Sequence, residues 1–306
     1  MPPTDRPTTS RRAASLVAAG ILAGLIAACS AAASPPPSAS GSPAPSTIAH
    51  PTGAGDLVLR YEETGGFAGP QPILGRYPAV AVYGDGSVIT EGPIPAIFPG
   101  PALPNLRVTK LTEAGLQRLL AAATTAGLLG PDAQYDATGI ADATTAEFTV
   151  VAGGSRHHVT AYALGISTPE QEDGAANVAA RTRLRAFTQV LGDLRRTFAD
   201  DIVGPDSPYA FGSIRVQAAR GAPKPGDPAV TRPPLDWPLS TPLATFGQPG
   251  KGAGVMESFR CGVVTGADLD ILRPLLAQAT QITGWRSDGV IYTLVLQPML
   301  PDESGC

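Results

Sequence analysis

The sequence predicts an α+β fold in which antiparallel sheets of hairpins are each packed by amphipathic helices. Short runs rich in Val, Ile, Thr and Tyr flank glycine-rich turns, a pattern typical of β-hairpins. Three longer runs carry apolar residues three and four positions apart, which indicates helices with one buried face. A shorter series of predicted strands and a helix follows the first series and resembles it. We therefore expect two related units, which can share one core.

The first unit is expected over residues 56–204 and begins with strands and a capped helix. The predicted strands are residues 57–61, 79–83 and 87–89, with a Gly84-Asp85-Gly86 turn joining the last two. Thr112 is placed to be the N-cap of the helix, and Gly127 is placed to end it. The helix should bury one apolar stripe against the sheet.

A second hairpin and a second helix complete this unit. Strands over residues 145–151 and 157–164 flank Gly153-Gly154. The helix is predicted from a stripe of apolar residues at helical spacing: Leu184, Phe187, Leu191, Leu194 and Phe198. Its other face carries Arg181, Arg185 and Arg195, which we expect to be solvated.

The second unit is expected over residues 205–306. It begins with a proline-rich crossing, residues 223–249, interpreted as a surface connection with few apolar residues. A strand over residues 259–264 leads into a helix that should open with a capping box, Thr265-Gly266-Ala267-Asp268. Pro274 should kink this helix. The predicted last element is a hairpin around Ser287-Asp288-Gly289.

The N-terminus has the pattern of an export signal. Arg11-Arg12 precede an uncharged run over residues 16–28, and small residues precede Cys29, as in secretory signal peptides. The run is shorter than the about 20 residues that a membrane-spanning helix needs. Ser10-Arg11-Arg12 leaves twin-arginine export as an alternative. We therefore expect residues 1–28 to be removed.

Ile26-Ala27-Ala28-Cys29 resembles the bacterial lipobox at every position of the motif. The resemblance implies cleavage between Ala28 and Cys29, diacylation of the Cys29 thiol, and location on the extracytoplasmic face of the cell membrane. Abundant Ala, Gly, Pro and Arg are typical of a high-GC genome, so the chain resembles an actinobacterial lipoprotein. Residues 29–55 are rich in Ser, Pro and Ala and should form a disordered tether.

The composition argues against two classes of partner. The net charge is −4, and removal of the arginine-rich residues 1–28 makes the mature chain more acidic. Binding to nucleic acid or to an anionic bilayer requires clustered Lys and Arg. We therefore expect no nucleic-acid partner and membrane contact only through the lipid on Cys29.

Cys261 and Cys306 are the two cysteines that follow Cys29. In an oxidising compartment such a pair usually forms a disulfide. A reactive thiol or a metal ligand is the alternative, but the chain has no Cys-x-x-Cys motif and no histidine near either residue. The sequence therefore predicts a Cys261–Cys306 disulfide.

No catalytic, metal-binding or cofactor-binding motif is found. His50 lies in the expected tether, and His157 and His158 are consecutive in a predicted strand, where their side chains point to opposite faces. The carboxylates of Glu62-Glu63 and of the run 170–174 are interpreted as solvated. Residues 250–254 lack the spacing of a phosphate-binding loop and are interpreted as a mobile surface loop.

Residues 61–86, 112–129 and 144–164 together resemble a family of secreted domains of unknown function. The shared pattern is a glycine-rich turn, a strand ending in a Gly-Asp-Gly turn, a capped helix and a polar hairpin, over residues 57–198. Members often carry two cysteines in the early turn, where residues 65–72 have none. The resemblance implies no activity.

The chain is therefore expected to be a non-catalytic binding or scaffold module at the cell envelope. A sheet edge or the proline-rich loops, residues 92–104 and 223–249, should contact an envelope protein or a cell-wall polymer. Two alternatives remain: an extracytoplasmic hydrolase with a site of dispersed carboxylates, and a carrier with an apolar cavity. A deep cleft lined by two carboxylates and a histidine would favour the hydrolase.

Overall fold

The computed structural model describes residues 47–67, 75–223, 230, 232–252 and 254–306. These residues belong to one compact unit that contains helices and two β-sheets, so the α+β prediction is confirmed. The predicted signal peptide, Cys29 and the first part of the tether lie outside the described residues. No helix within the described ranges is long and apolar enough to cross a membrane.

The first sheet has eight strands in the order β5-β7-β6-β1-β2-β3-β4-β8. All neighbours are antiparallel except β5 and β7, which are parallel. The strands are β1 Leu57–Gly65, β2 Val80–Tyr83, β3 Ser87–Glu91, β4 Leu106–Leu111, β5 Ala133–Tyr135, β6 Thr144–Ala152, β7 Ser155–Tyr162 and β8 Ile202–Pro208.

Three helices accompany this sheet: α1 Glu113–Ala126, α2 Ala175–Gly192 and α3 Leu194–Thr197. As predicted, Thr112 caps α1 by accepting a hydrogen bond from the Gly115 N–H, and Gly127 ends the helix with a φ of 88°. The predicted second helix is interrupted at Asp193, whose φ of −120° is not helical. Apolar side chains of α1 and α2 form one core with the inner face of the sheet.

The arginines of α2 do not form the solvated face that the sequence predicts. Arg181 is fully buried, and its Nε lies 2.9 Å from Oε1 of Glu172, which is buried as well. Arg185 bonds the same oxygen. In the run 170–174, also predicted to be solvated, Glu172 is buried and pairs with both arginines, whereas Glu170, Asp173 and Gly174 are exposed as expected.

The second sheet has six strands in the order β10-β13-β14-β9-β12-β11 and is covered by helix α4. The elements are β9 Ser213–Arg220, β10 Leu235–Asp236, β11 Gln248–Lys251, β12 Ser258–Thr265, α4 Gly266–Leu276, β13 Gly284–Ser287 and β14 Val290–Pro298. Thr265 is the N-cap of α4, but its side chain forms no capping hydrogen bond, so the predicted capping box is wrong. Pro274 lies inside the helix, as expected.

The crossing at residues 223–249 is not only a surface connection. Trp237, Leu243 and Phe246 are buried in the core of the second sheet, and Trp237 packs edge-to-face against Trp285. The low apolar content of this segment therefore gave no indication that three of its side chains are buried in the core of the second sheet.

The C-terminal segment joins the two sheets. After β14 it crosses the outer face of the first sheet, where the Tyr77 hydroxyl donates to the Pro298 carbonyl at 2.7 Å and Arg60 pairs with Asp302 at 2.8 Å. Cys306 then bonds to Cys261 of β12, which confirms the predicted disulfide. The expected boundary between residues 204 and 205 falls inside β8, a strand of the first sheet.

Residues 47–55, which the sequence assigned to the tether, lie against the first sheet and α1. The Ile48 N–H donates to the Gln117 side chain at 2.7 Å, and the His50 side chain, only 4% exposed, lies 3.1 Å from Glu113. Gly84 makes this contact possible because a Cβ there would lie 2.4 Å from the Pro51 carbonyl oxygen. The geometry of His50 is therefore fixed, contrary to the prediction.

Candidate binding site

A proline-rich loop between β3 and β4 presents three exposed apolar side chains next to a cavity. Ile94, Ile97 and Phe98 are 61%, 64% and 62% exposed. No charged residue occurs from Gly92 to Asn105. We call residues 92–105 with their exposed side chains the apolar loop surface.

Hydrogen bonds close this loop at its base and attach it to the segment between α4 and β13. At its base, the Gly92 N–H donates to the Asn105 carbonyl at 2.7 Å. Further along, the Ala102 N–H donates to the Ala279 carbonyl at 3.0 Å, and the Gly100 carbonyl accepts from Gln281 at 3.0 Å. These bonds hold the loop on both sides of the exposed side chains.

An apolar cavity of about 400 Å³ adjoins the loop. Ile94 and Leu103 of the loop line one side, and Trp285 and Leu294 of the second sheet line the other. A cavity of this size can hold an apolar side chain or a small apolar ligand. The contribution of the second sheet was not predicted, because nothing in the sequence sets β13 and β14 beside a loop of the first sheet.

The apolar loop surface and the first described residues lie at opposite ends of the first sheet. The loop begins where β3 ends and ends where β4 begins. At the other end of the same strands, the Gly84 N–H donates to the Asp56 carbonyl and the Gly153 N–H donates to the Ala49 carbonyl. The chain therefore enters the folded body at the end opposite the loop.

His157 and His158 point to opposite faces of β7, as predicted. His157 Nδ1 lies 2.7 Å from the Gly130 carbonyl, whereas His158 Nε2 lies 3.7 Å from Glu147 on the outer face. Glu62 of β1 is directly opposite Glu147. Burial raises the pKa of Glu62; Arg60 opposes this shift and Glu147 adds to it.

This row of His158, Glu147 and Glu62 lies on an outer sheet face, where an open cavity of about 310 Å³ adjoins His158. Nowhere in the described ranges do three or more His, Cys, Asp or Glu side chains form a group that could hold a metal ion. The row can therefore bind a proton or a polar partner, but it lacks the enclosed geometry of a hydrolytic cleft.

A cavity of about 510 Å³ lies between the first sheet and the end of α2. Three of its charged side chains are paired with one another: Asp206 lies 3.0 Å from Arg107 and 2.5 Å from Arg195. Arg195 thus has an ion-pair partner, and its side chain is 56% exposed, in agreement with the predicted solvated face. Glu91 and Asp193 also line the cavity, which has no histidine.

Comparisons with protein-family models, curated proteins and solved structures found no match to this chain. The resemblance of residues 57–198 to secreted domains of unknown function stays a prediction. Function must therefore be inferred from the residues and their geometry.

Proposed function

We propose that this chain is a non-catalytic binding module, anchored through a lipid on Cys29 to the extracytoplasmic face of the cell membrane. Its partner is another protein of the envelope, which contacts the apolar loop surface. The exposure of three large apolar side chains in one uncharged loop carries this proposal. Clustered apolar exposure is typical of protein–protein contact sites.

Contact with a partner protein removes Ile94, Ile97 and Phe98 from water. Complete burial of one such side chain contributes about 1.5–3 kcal/mol. Five loop residues are prolines, at positions 93, 95, 99, 101 and 104. Because proline has no N–H donor, fewer backbone groups lose hydrogen bonds to water when the loop is covered.

The chain's own N-terminal segment is a poor occupant for this surface. Residues 30–46 consist of Ala, Ser, Pro and Gly, so they offer no large apolar side chain. Residue 47 also lies at the far end of the first sheet from the loop. A tether attached there leaves the apolar loop surface on the side away from the attachment point, where another envelope protein can reach it.

The two alternative functions have less support. A hydrolase needs carboxylates and a histidine around one cleft, whereas His158 and Glu147 lie on an outer face and the cavity with Asp206 has no histidine. A carrier needs an apolar cavity between the first sheet and its helices. Phe148 and Leu119, both fully buried, are among the side chains that occupy this space.

Site-specific photo-crosslinking on living cells tests the proposed contact. A photoreactive phenylalanine analogue at position 98 is expected to give one defined protein adduct, because this side chain lies in the proposed interface. The matched control is the same analogue at Ile166, which is 67% exposed but lies outside the loop. The partner identified by mass spectrometry is then purified, and its binding to the full chain is measured with and without Ile97→Asp.

Ile97→Asp should weaken binding to the purified partner at least about tenfold, since it sets a charge in an apolar contact. Ile166→Asp should leave the affinity unchanged. The absence of an adduct at position 98, or the same adduct at positions 98 and 166, would disprove the proposed interface. So would an adduct to lipid alone at position 98.

Cys29→Ser is expected to release the protein from the membrane into the medium, because the acyl chains on Cys29 are its proposed anchor. Intact-mass measurement of membrane fractions should find an acylated chain that begins at Cys29 in the wild type only. Ser34→Ala, a change in the same segment, should leave both mass shift and location intact. An unmodified Cys29 in a membrane-bound wild-type chain would contradict the anchor.

A further inference from the structure

A cavity of about 550 Å³ on the second sheet is lined by three cationic side chains, those of Arg220, Lys251 and Arg260. No described carboxylate lines it. This is unusual for the chain, whose net charge is −4, and it differs from the cavity at the end of α2, where Asp206 pairs with both arginines. We call it the cationic cavity.

The strand register sets four of its side chains in one row across the sheet. Tyr292 of β14 pairs with Arg220 of β9, and Ser258 of β12 pairs with Lys251 of β11. Continuing the register of β9 and β12 by one residue sets Ser258 opposite Arg220. The Cα atoms of Arg220 and Lys251 are therefore about 10 Å apart, two strand spacings, on the same face.

Arg260 has a structural role in the wall of this cavity. Its Nε donates to the Phe246 carbonyl at 2.8 Å, and its Nη2 donates to the Thr245 and Gly247 carbonyls at 3.3 and 2.5 Å. These bonds hold the turn before β11, with Leu243 and Ala244 just upstream at the side of the cavity. Arg260 is thus committed to the backbone, although its charge still acts on the cavity.

Arg220 and Lys251 are both exposed, and neither forms an ion pair or hydrogen bond with another residue of the described ranges. Tyr292 is only 6% exposed, yet its hydroxyl likewise has no hydrogen-bond partner among the described residues. Among the described residues, the cavity therefore presents two cations that have no ion-pair partner.

We infer that the cationic cavity binds a small amphiphilic anion. Its carboxylate or phosphate group lies between Arg220 and Lys251, where it can accept hydrogen bonds from both and from the Ser258 and Tyr292 hydroxyls. Its apolar part packs on Ala244 and Pro249, which line the cavity and are exposed. Lys251 is able to take this role because it lies in β11, and not in the mobile loop that the sequence predicts.

Titration calorimetry on the full chain, purified in detergent, tests this site with defined probes. Phenyl phosphate and benzoate should bind saturably, and inorganic phosphate at least about tenfold more weakly because it has no apolar part. Phenol, which has no anionic group at neutral pH, should not bind. Added salt should weaken the binding of phenyl phosphate, since Arg220, Lys251 and the bound anion remain partly in water.

Arg220→Ala and Lys251→Ala should each raise the dissociation constant for phenyl phosphate at least about tenfold. Arg220→Lys, which keeps the charge, should recover part of the loss, and Arg156→Ala, which removes a cation from the first sheet, should change nothing. Thermal unfolding of each variant checks that the fold is intact. Unchanged binding in Arg220→Ala and Lys251→Ala would overturn the inference.

Two further outcomes would also overturn it: no saturable binding of either aromatic anion, and binding only to phosphatidylglycerol vesicles without binding of the soluble anions. Binding of the soluble anions together with such vesicles assigns the same cavity to a lipid headgroup. Because the apolar loop surface lies on another part of the molecule, Ile97→Asp should leave anion binding unchanged, which separates this test from that of the proposed function.

Discussion

Replacing Arg181 with alanine is expected to lower the free energy of unfolding by about 3–5 kcal/mol, the usual cost of breaking a buried ion pair from one side. The change leaves the Glu172 carboxylate, which is fully buried, with Arg185 as its only cationic partner. It also removes the donors that Arg181 gives to the carbonyls of Tyr135 and Tyr162 at 2.8 and 2.7 Å. Urea unfolding followed by circular dichroism measures the loss.

Two variants distinguish the loss of the buried ion pairs from the general effect of replacing an arginine. Arg183→Ala, which removes an exposed arginine from the same helix, should change the unfolding free energy by less than about 0.5 kcal/mol. Arg181→Met combined with Glu172→Gln removes both buried charges and should cost less than Arg181→Ala alone, because the charge that it leaves without a partner, that of Arg185, is partly exposed. Equal losses in Arg181→Ala and Arg183→Ala would show that the network does not stabilise the fold.

The same network predicts a pH dependence. Burial opposes the ionisation of Glu172, but hydrogen bonds from Arg185, Ser167 and Arg181 outweigh it and hold the pKa below its usual value. The folded state therefore gains stability above the unfolded pKa of about 4.3, and this gain is lost as the pH falls through the lower folded pKa. The difference between wild type and Glu172→Gln should accordingly shrink below about pH 4.

Removing the disulfide with the double change Cys261→Ala and Cys306→Ala is expected to destabilise the protein by up to about 4 kcal/mol. The bond joins residues 45 apart in sequence, so it restricts a long segment of the unfolded chain. It also ties the end of the C-terminal segment, which crosses the first sheet, to β12 of the second sheet. Thermal unfolding under oxidising conditions should show a lower midpoint.

Hydrogen exchange tests whether the disulfide holds the C-terminal segment in place. Amides from Leu300 onwards should exchange faster in the double variant, because the segment is then held only by contacts such as Arg60 with Asp302. Wild type treated with reductant serves as the control and should behave like the double variant. If neither the midpoint nor the exchange changes, the cross-link has no role in holding this segment.

Some elements were predicted well because their signals are local. The N-cap Thr112, the terminating Gly127 and the turn at Gly84-Asp85-Gly86 all depend on neighbours within a few residues. Strand β9 was missed, although Ile214 to Ala218 alternates in part between apolar and polar residues. Its position in the middle of the second sheet could not be read from that alternation, since pairing partners are set by distant residues.

The buried arginines show a second limit. Helical spacing put Arg181 on the polar face of α2, and the spacing itself was sound. The segment before α2 places Glu172 against that face. Arg181 is therefore buried, although it lies on the polar side of the helix. Burial of a charge depends on a partner that spacing alone does not reveal.

The sequence by itself determined the α+β class, the caps and turns of the first unit, and the pairing of Cys261 with Cys306, because each follows from local backbone preferences or from the small number of possible partners. Only the tertiary structure decided how loops and strands meet. It set the uncharged loop at residues 92–105 beside Trp285, and it aligned Arg220 with Lys251 across β9, β12 and β11. Both surfaces arise from contacts between residues far apart in the chain, and for such contacts periodicity and composition carry no signal.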